Sequence, residues 1–168
     1  MKIALLDVDS KIPNLALMKL SRFHRDAGDD VVLYDALWKR TYDRIYASKI
    51  FDYSDGVDLD PECMEIGGTG WDLRVSLPPE IERLQPDYTL YQYPHNIGFT
   101  MRGCRFRCKF CVVPEKEGKP VENSTIEDIW TQRGSDFVVL LDNDFFGNPA
   151  WQERMDEIRK HDLRASFS

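Results

Sequence analysis

Two rhythms of apolar and polar positions run along the chain. Residues 2–8 form an apolar run that ends on Asp7 and Asp9, which predicts a strand. Pro13 and Asn14 then open a helix in which Ala16, Leu17, Leu20, Phe23 and Ala27 recur at spacings of three and four. Gly28 stops that helix. Val31-Val32-Leu33-Tyr34 predicts a second strand, residues 36–42 a helical stretch and residues 44–50 a third strand. An acidic loop follows at residues 52–61, whose carboxylate spacing misses that of a calcium loop. Met64-Glu65-Ile66 predicts a short strand running into Gly67-Gly68-Thr69-Gly70. Beyond Pro78, Pro79 and Pro86, residues 90–93 predict another.

The pattern restarts near Pro94. Residues 97–101 predict a strand that runs straight into a cysteine-bearing stretch, and Gly118, Lys119 and Pro120 mark an irregular connection. Ser124-Thr-Ile-Glu127 predicts a capping box, with Ile126, Ile129 and Trp130 as the apolar face of its helix and Gly134 as its end. Residues 137–141 form the continuous apolar run of a buried parallel strand. Asn148-Pro149 starts a helix with Trp151, Met155 and Ile158 inward, and residues 164–168 begin a further strand. Strands alternating with helices imply an α/β protein with parallel sheets. The break near Pro94 divides it into domains at 1–93 and 94–168.

The net charge of −7 disfavours generic binding to nucleic acid or anionic membranes, which are gripped by clustered Lys and Arg. No apolar run approaches the ~20 residues that span a bilayer. The first residues read as a strand rather than a secretory signal, so a cytoplasmic protein is expected. In that setting the four cysteines are expected to be metal ligands rather than disulfide partners. Cys63 stands apart and reads as a small buried apolar residue. His24 and His161 read as structural. No Ser-His-Asp arrangement, P-loop or zinc-protease motif is present.

The densest chemistry lies in Cys104-Arg-Phe-Arg-Cys108-Lys-Phe-Cys111. Thiolates are soft ligands suited to iron–sulfur clusters, and three on one loop hold three corners of a 4Fe–4S cube while leaving one iron open. Arg105, Arg107 and Lys109 are placed to offset negative charge, and Phe106 and Phe110 to exclude water. A zinc site using the same cysteines, completed by His95 or Cys63, is the alternative. Arg102, Arg105, Arg107, Lys109, Lys116 and Lys119 form a basic stretch, read as charge compensation and solvation. Asp142-Asn143-Asp144 follows the predicted strand at 137–141. Strand ends of this kind carry the chemistry of parallel β/α barrels, although helix capping explains such acids equally well.

The spacing C-x3-C-x2-C, with the aromatic Phe110 just before the last cysteine, resembles the signature of the radical S-adenosylmethionine (SAM) enzymes. The resemblance covers residues 98–111 most closely and extends to the end of the chain. It implies that Cys104, Cys108 and Cys111 ligate a 4Fe–4S cluster. The open iron is chelated by the amino and carboxylate groups of SAM, and reductive cleavage yields a 5′-deoxyadenosyl radical that attacks a substrate. It implies that Phe110 lies beside the adenine and that flavodoxin or ferredoxin donates the electron. The family binds the SAM amino group through a Gly-Gly-Glu type motif after the second barrel strand. Leu141-Asp142-Asn143-Asp144 stands there instead, which leaves Asn143 or Asp144 for that role.

The first ninety or so residues resemble the cobalamin-binding-type Rossmann domain that precedes the barrel in one branch of that family, and the Gly67–Gly70 loop resembles one of its cofactor-facing loops. The ligating motif D-x-H-x-x-G is replaced by Asp9-Ser10-Lys11-Ile12-Pro13-Asn14, without its histidine and glycine. A degenerate domain without cobalamin is therefore expected. The family barrel has six β/α units, and far fewer follow Cys111 here. The resemblance thus implies the first part of a partial (β/α) barrel, either a fragment or one completed by a second chain.

Overall fold

A computed structural model describes residues 1–55 and 57–167. Gly56 in the acidic loop and Ser168 in the last expected strand lie outside the described residues. The chain separates into two compact units, Met1–Tyr93 and Pro94–Ser168. Both are mixed α/β and hold parallel strands. Among the described residues no helix is long and apolar enough to cross a membrane.

The first unit contains β1 (Lys2–Asp7), α1 (Leu15–Asp26), β2 (Asp30–Leu33), β3 (Arg44–Ser48), β4 (Glu65–Gly67) and the one-turn α2 (Pro79–Glu82). Its four strands lie in the order β2-β1-β3-β4, all parallel, an arrangement compatible with a Rossmann-like domain. β1 is central, so Ile3, Ala4 and Leu5 are buried on both faces of the sheet. Ala4 packs with Ile45, Ala47 and Met64 in one apolar cluster.

The buried stripe of α1 differs from the expected one. Leu17, Leu20, Ser21 and His24 face inward, while Phe23 is exposed and Ala27 lies at the surface. The helix turns its histidine inward because the ring is satisfied there. Nδ1 lies 2.7 Å from Asp29 and Nε2 3.1 Å from the Tyr46 hydroxyl. Gly28 takes φ +83° just past the helix end, where a side chain would be strained.

Residues 36–41 form a 3-10 helix. The strand expected at 90–93 is absent. Tyr88–Leu90 is instead a 3-10 turn, started by the Asp87 carboxylate accepting the Thr89 N–H at 2.9 Å. Cys63 is exposed rather than buried. It sits on a turn whose Asp60 carboxylate pushes its thiol pKa up.

The second unit contains β5 (Asn96–Gly98), β6 (Met101–Arg102), α3 (Val113–Lys116), β7 (Val121–Glu122), α4 (Ile126–Ile129), β8 (Phe137–Leu140), α5 (Trp151–Lys160) and β9 (Arg164–Phe167). β5, β8 and β9 form a parallel sheet in that order. Val138 and Leu140 pack against Ile126, Ile129, Phe145, Ile158 and Leu163. The capping box that starts α4 is Thr125 with Asp128, one position beyond the expected Ser124 and Glu127. Trp151 and Met155 pack on this core as expected.

Residues 97–101 do not form one strand. β5 ends at Gly98, and Met101–Arg102 pairs antiparallel with Val121–Glu122 in a separate ladder. Polar Thr100, fully buried, interrupts the apolar run and takes hydrogen bonds that a continuous strand would deny it.

Candidate functional site

The β6–β7 ladder closes the cysteine-bearing segment into a loop. Met101 pairs with Glu122 and Arg102 with Val121. Inside the stem, the Cys104 N–H donates to the Gly118 carbonyl at 3.2 Å. Gly103 takes φ +82°, and a Cβ there would stand 2.3 Å from the Lys119 carbonyl oxygen. Glycine is therefore needed for the two sides of the stem to approach. At the far end the Cys111 N–H donates to the Cys108 carbonyl at 3.0 Å, a tight turn between two of the thiols.

All three cysteines are free; Cys104 and Cys111 are half-buried and Cys108 is exposed. Phe106 and Phe110 stand out from the loop, Phe110 at 92% exposure. Arg105 lies over the Phe106 ring, 5.0 Å from its centre. A cavity of about 260 Å³ opens beside Cys104 and is lined also by Arg105, Arg107, Pro114, Gly118 and Lys119. By donor chemistry the loop suits an iron–sulfur cluster: three soft thiols on one segment, with cations around the first. Among the described residues no three His, Cys, Asp or Glu side chains converge closely enough to hold a metal ion.

The segment after β8 anchors this loop. Asp142, 1% exposed, accepts the Thr100 N–H at 2.7 Å and the Met101 N–H at 3.1 Å, and also binds the Thr100 hydroxyl. Burial pushes its pKa up against the opposing pull of these donors and of Arg102. The buried Asn148 adds its amide to the Thr100 hydroxyl at 3.2 Å. Asn143, exposed, donates to Glu117 at 3.2 Å. Asp144 pairs with the Arg105 guanidinium at 3.1 Å and accepts its N–H at 3.3 Å.

Sequence reasoning missed Glu117. Its carboxylate accepts the Gly103 N–H at 2.8 Å, meets Arg102 at 2.6 Å and receives Asn143. One side chain thus ties both sides of the stem to the segment after β8. No periodicity marks it, because it works from an irregular turn at the end of α3. Thr100 and Asn148 were missed too. The polar break Thr100 makes in an apolar run was the one available signal.

His95 packs on Phe137 with ring centres 4.9 Å apart and lies 3.4 Å from the Ser135 hydroxyl. His161 lies 2.8 Å from Glu127. In the first unit, Asn14 caps α1 by accepting the Leu17 N–H at 3.2 Å and donates to Ser48 and Ser10. Gly68 and Gly70 are required by close packing, since a Cβ at either would fall 2.1 Å and 2.3 Å from the backbone of Lys49 and Phe51. No family model, curated protein or solved structure matches this chain.

Proposed function

We propose that the chain is a radical SAM-type protein, or the part of one that carries the cluster loop. Cys104, Cys108 and Cys111 would hold a 4Fe–4S cluster. The observation that carries this reading is the C-x3-C-x2-C loop itself, pinned by a ladder and by Asp142 at the carboxyl ends of two adjacent parallel strands. That end of a parallel sheet is where β/α enzymes place their chemistry. We further propose that β5, β8 and β9 are the first strands of a partial (β/α) barrel.

When bound, such a cluster supplies an electron to the sulfonium of SAM. The chain's own residues do the rest. The stem and Glu117 fix where the loop starts and ends. Arg105, held by Asp144, together with Arg107 and Lys119, keeps positive charge beside Cys104, which offsets the charge of ionised thiols. Phe110, fully extended into solvent, is available to a planar ring. Asn143 and Asp144 already serve the loop through Glu117 and Arg105, so an amino group would meet them as part of that network. The free thiols suit a reducing, cytoplasmic setting, with flavodoxin or ferredoxin as electron donor.

Anaerobic reconstitution followed by electron paramagnetic resonance tests the proposal. A reduced cluster signal that changes on adding SAM supports an open iron position. Stoichiometric zinc without sulfide would favour the zinc alternative instead, and a cluster whose signal ignores SAM would remove the radical SAM reading.

A further inference from the structure

The strand order β2-β1-β3-β4 places a change of winding between β1 and β3, since the chain leaves β1 toward β2 and returns on its other side to β3. Open α/β sheets take their ligands in the crevice outside the carboxyl ends of such a pair. Here that crevice contains a carboxylate of the chain itself. Asp9, just beyond β1, accepts the Ile50 N–H at 2.8 Å through one oxygen and the Phe51 N–H at 2.9 Å through the other. The Ser54 hydroxyl bonds the same carboxylate, and the Lys49 ammonium, which donates to the Asp52 carbonyl at 3.2 Å, adds its positive charge nearby.

Two successive backbone N–H groups, a hydroxyl and a cation are the donor set that binds phosphate-type anions. We infer that Asp9 is the resident anion of this crevice, and that the first unit is a ligand cradle sealed by its own side chain. The Val8 N–H bonds the Ser48 carbonyl at 3.1 Å and Asn14 bonds the Ser48 hydroxyl at 2.9 Å, so the two strand ends are held together beneath Asp9. A tethered carboxylate in place competes as an intramolecular ligand, with an effective concentration that free anions do not match.

The supporting balance is visible in Asp9 itself. Burial raises its pKa, but the Ile50 N–H, the Ser54 hydroxyl, the Phe51 N–H and Lys49 together outweigh that and hold it below the ordinary carboxylate value. The cradle therefore favours the charged form.

Titration of the full chain with inorganic phosphate, followed by amide NMR at constant ionic strength, tests the inference. In Asp9→Ala the Ile50 and Phe51 resonances should move saturably, with an apparent Kd on the order of 1–10 mM, while in the native chain they stay fixed. Saturable movement in the native chain, or none in the variant, overturns it. Should Asp9→Ala fail to fold, acid titration of the native chain decides. The Ile50 and Phe51 amides are expected to shift together as Asp9 protonates, and amides indifferent to that step would overturn the inference.

Discussion

Thr100 and Asp142 meet across the carboxyl ends of β5 and β8, the buried carboxylate accepting the Thr100 N–H at 2.7 Å. This contact, reinforced at the Met101 N–H, ends the strand and turns the chain into the ladder that carries the cysteines. The placement of the loop thus depends on one acid inside the second unit.

Replacing Asp142 with Ala leaves two backbone N–H groups without their acceptor and should cost about 3 kcal/mol, read from urea unfolding. The pH dependence is specific. Because burial raises the Asp142 pKa in the folded chain, its contribution is full below the unfolded value of about 4 and fades as pH rises through the folded value. The stability difference between the native chain and Asp142→Asn should therefore narrow from about pH 4 towards neutrality. A difference that widens with pH would contradict this.

Glu117→Ala should release the Gly103 N–H and free Arg102 and Asn143 together. The expected loss is about 1–3 kcal/mol, accompanied by faster hydrogen exchange at Gly103, with the β5–β8 amides little changed. Unchanged protection at Gly103 would remove Glu117 as the tie between stem and strand end.

Gly103→Ala should be worse than an ordinary surface substitution. Its positive φ costs about 1–2 kcal/mol for a residue with a Cβ, and the added atom would press on the Lys119 carbonyl. Weakened β6–β7 pairing, seen as loss of cross-strand contacts by NMR, is the expected result.

Much of the fold was legible in the sequence, because long apolar runs and cap residues act locally. β1, β2, β3 and β8 follow from such signals, whereas α5 begins at Trp151, past the expected Asn148-Pro149 start, and has no side-chain cap. What was not legible depends on partners distant in sequence. Phe23 is turned outward because His24 finds Asp29 and Tyr46. The apolar run after Pro94 breaks because Thr100 is claimed by Asp142. The cysteines could be read from spacing alone, whereas Glu117 could not, since its partners, Arg102 with Gly103 and Asn143, lie on two segments that only the folded chain brings to it.

Single Ala replacements at Cys104, Cys108 and Cys111 should each abolish cluster incorporation, while Cys63→Ala, on the other unit, should leave it intact. Retained sulfide in Cys108→Ala would defeat the ligand assignment.

The most direct test is the iron and acid-labile sulfide content of the chain reconstituted without oxygen. About four of each per chain, as a 4Fe–4S cluster requires, is the predicted result. Iron without sulfide, or no retained iron at all, would contradict it.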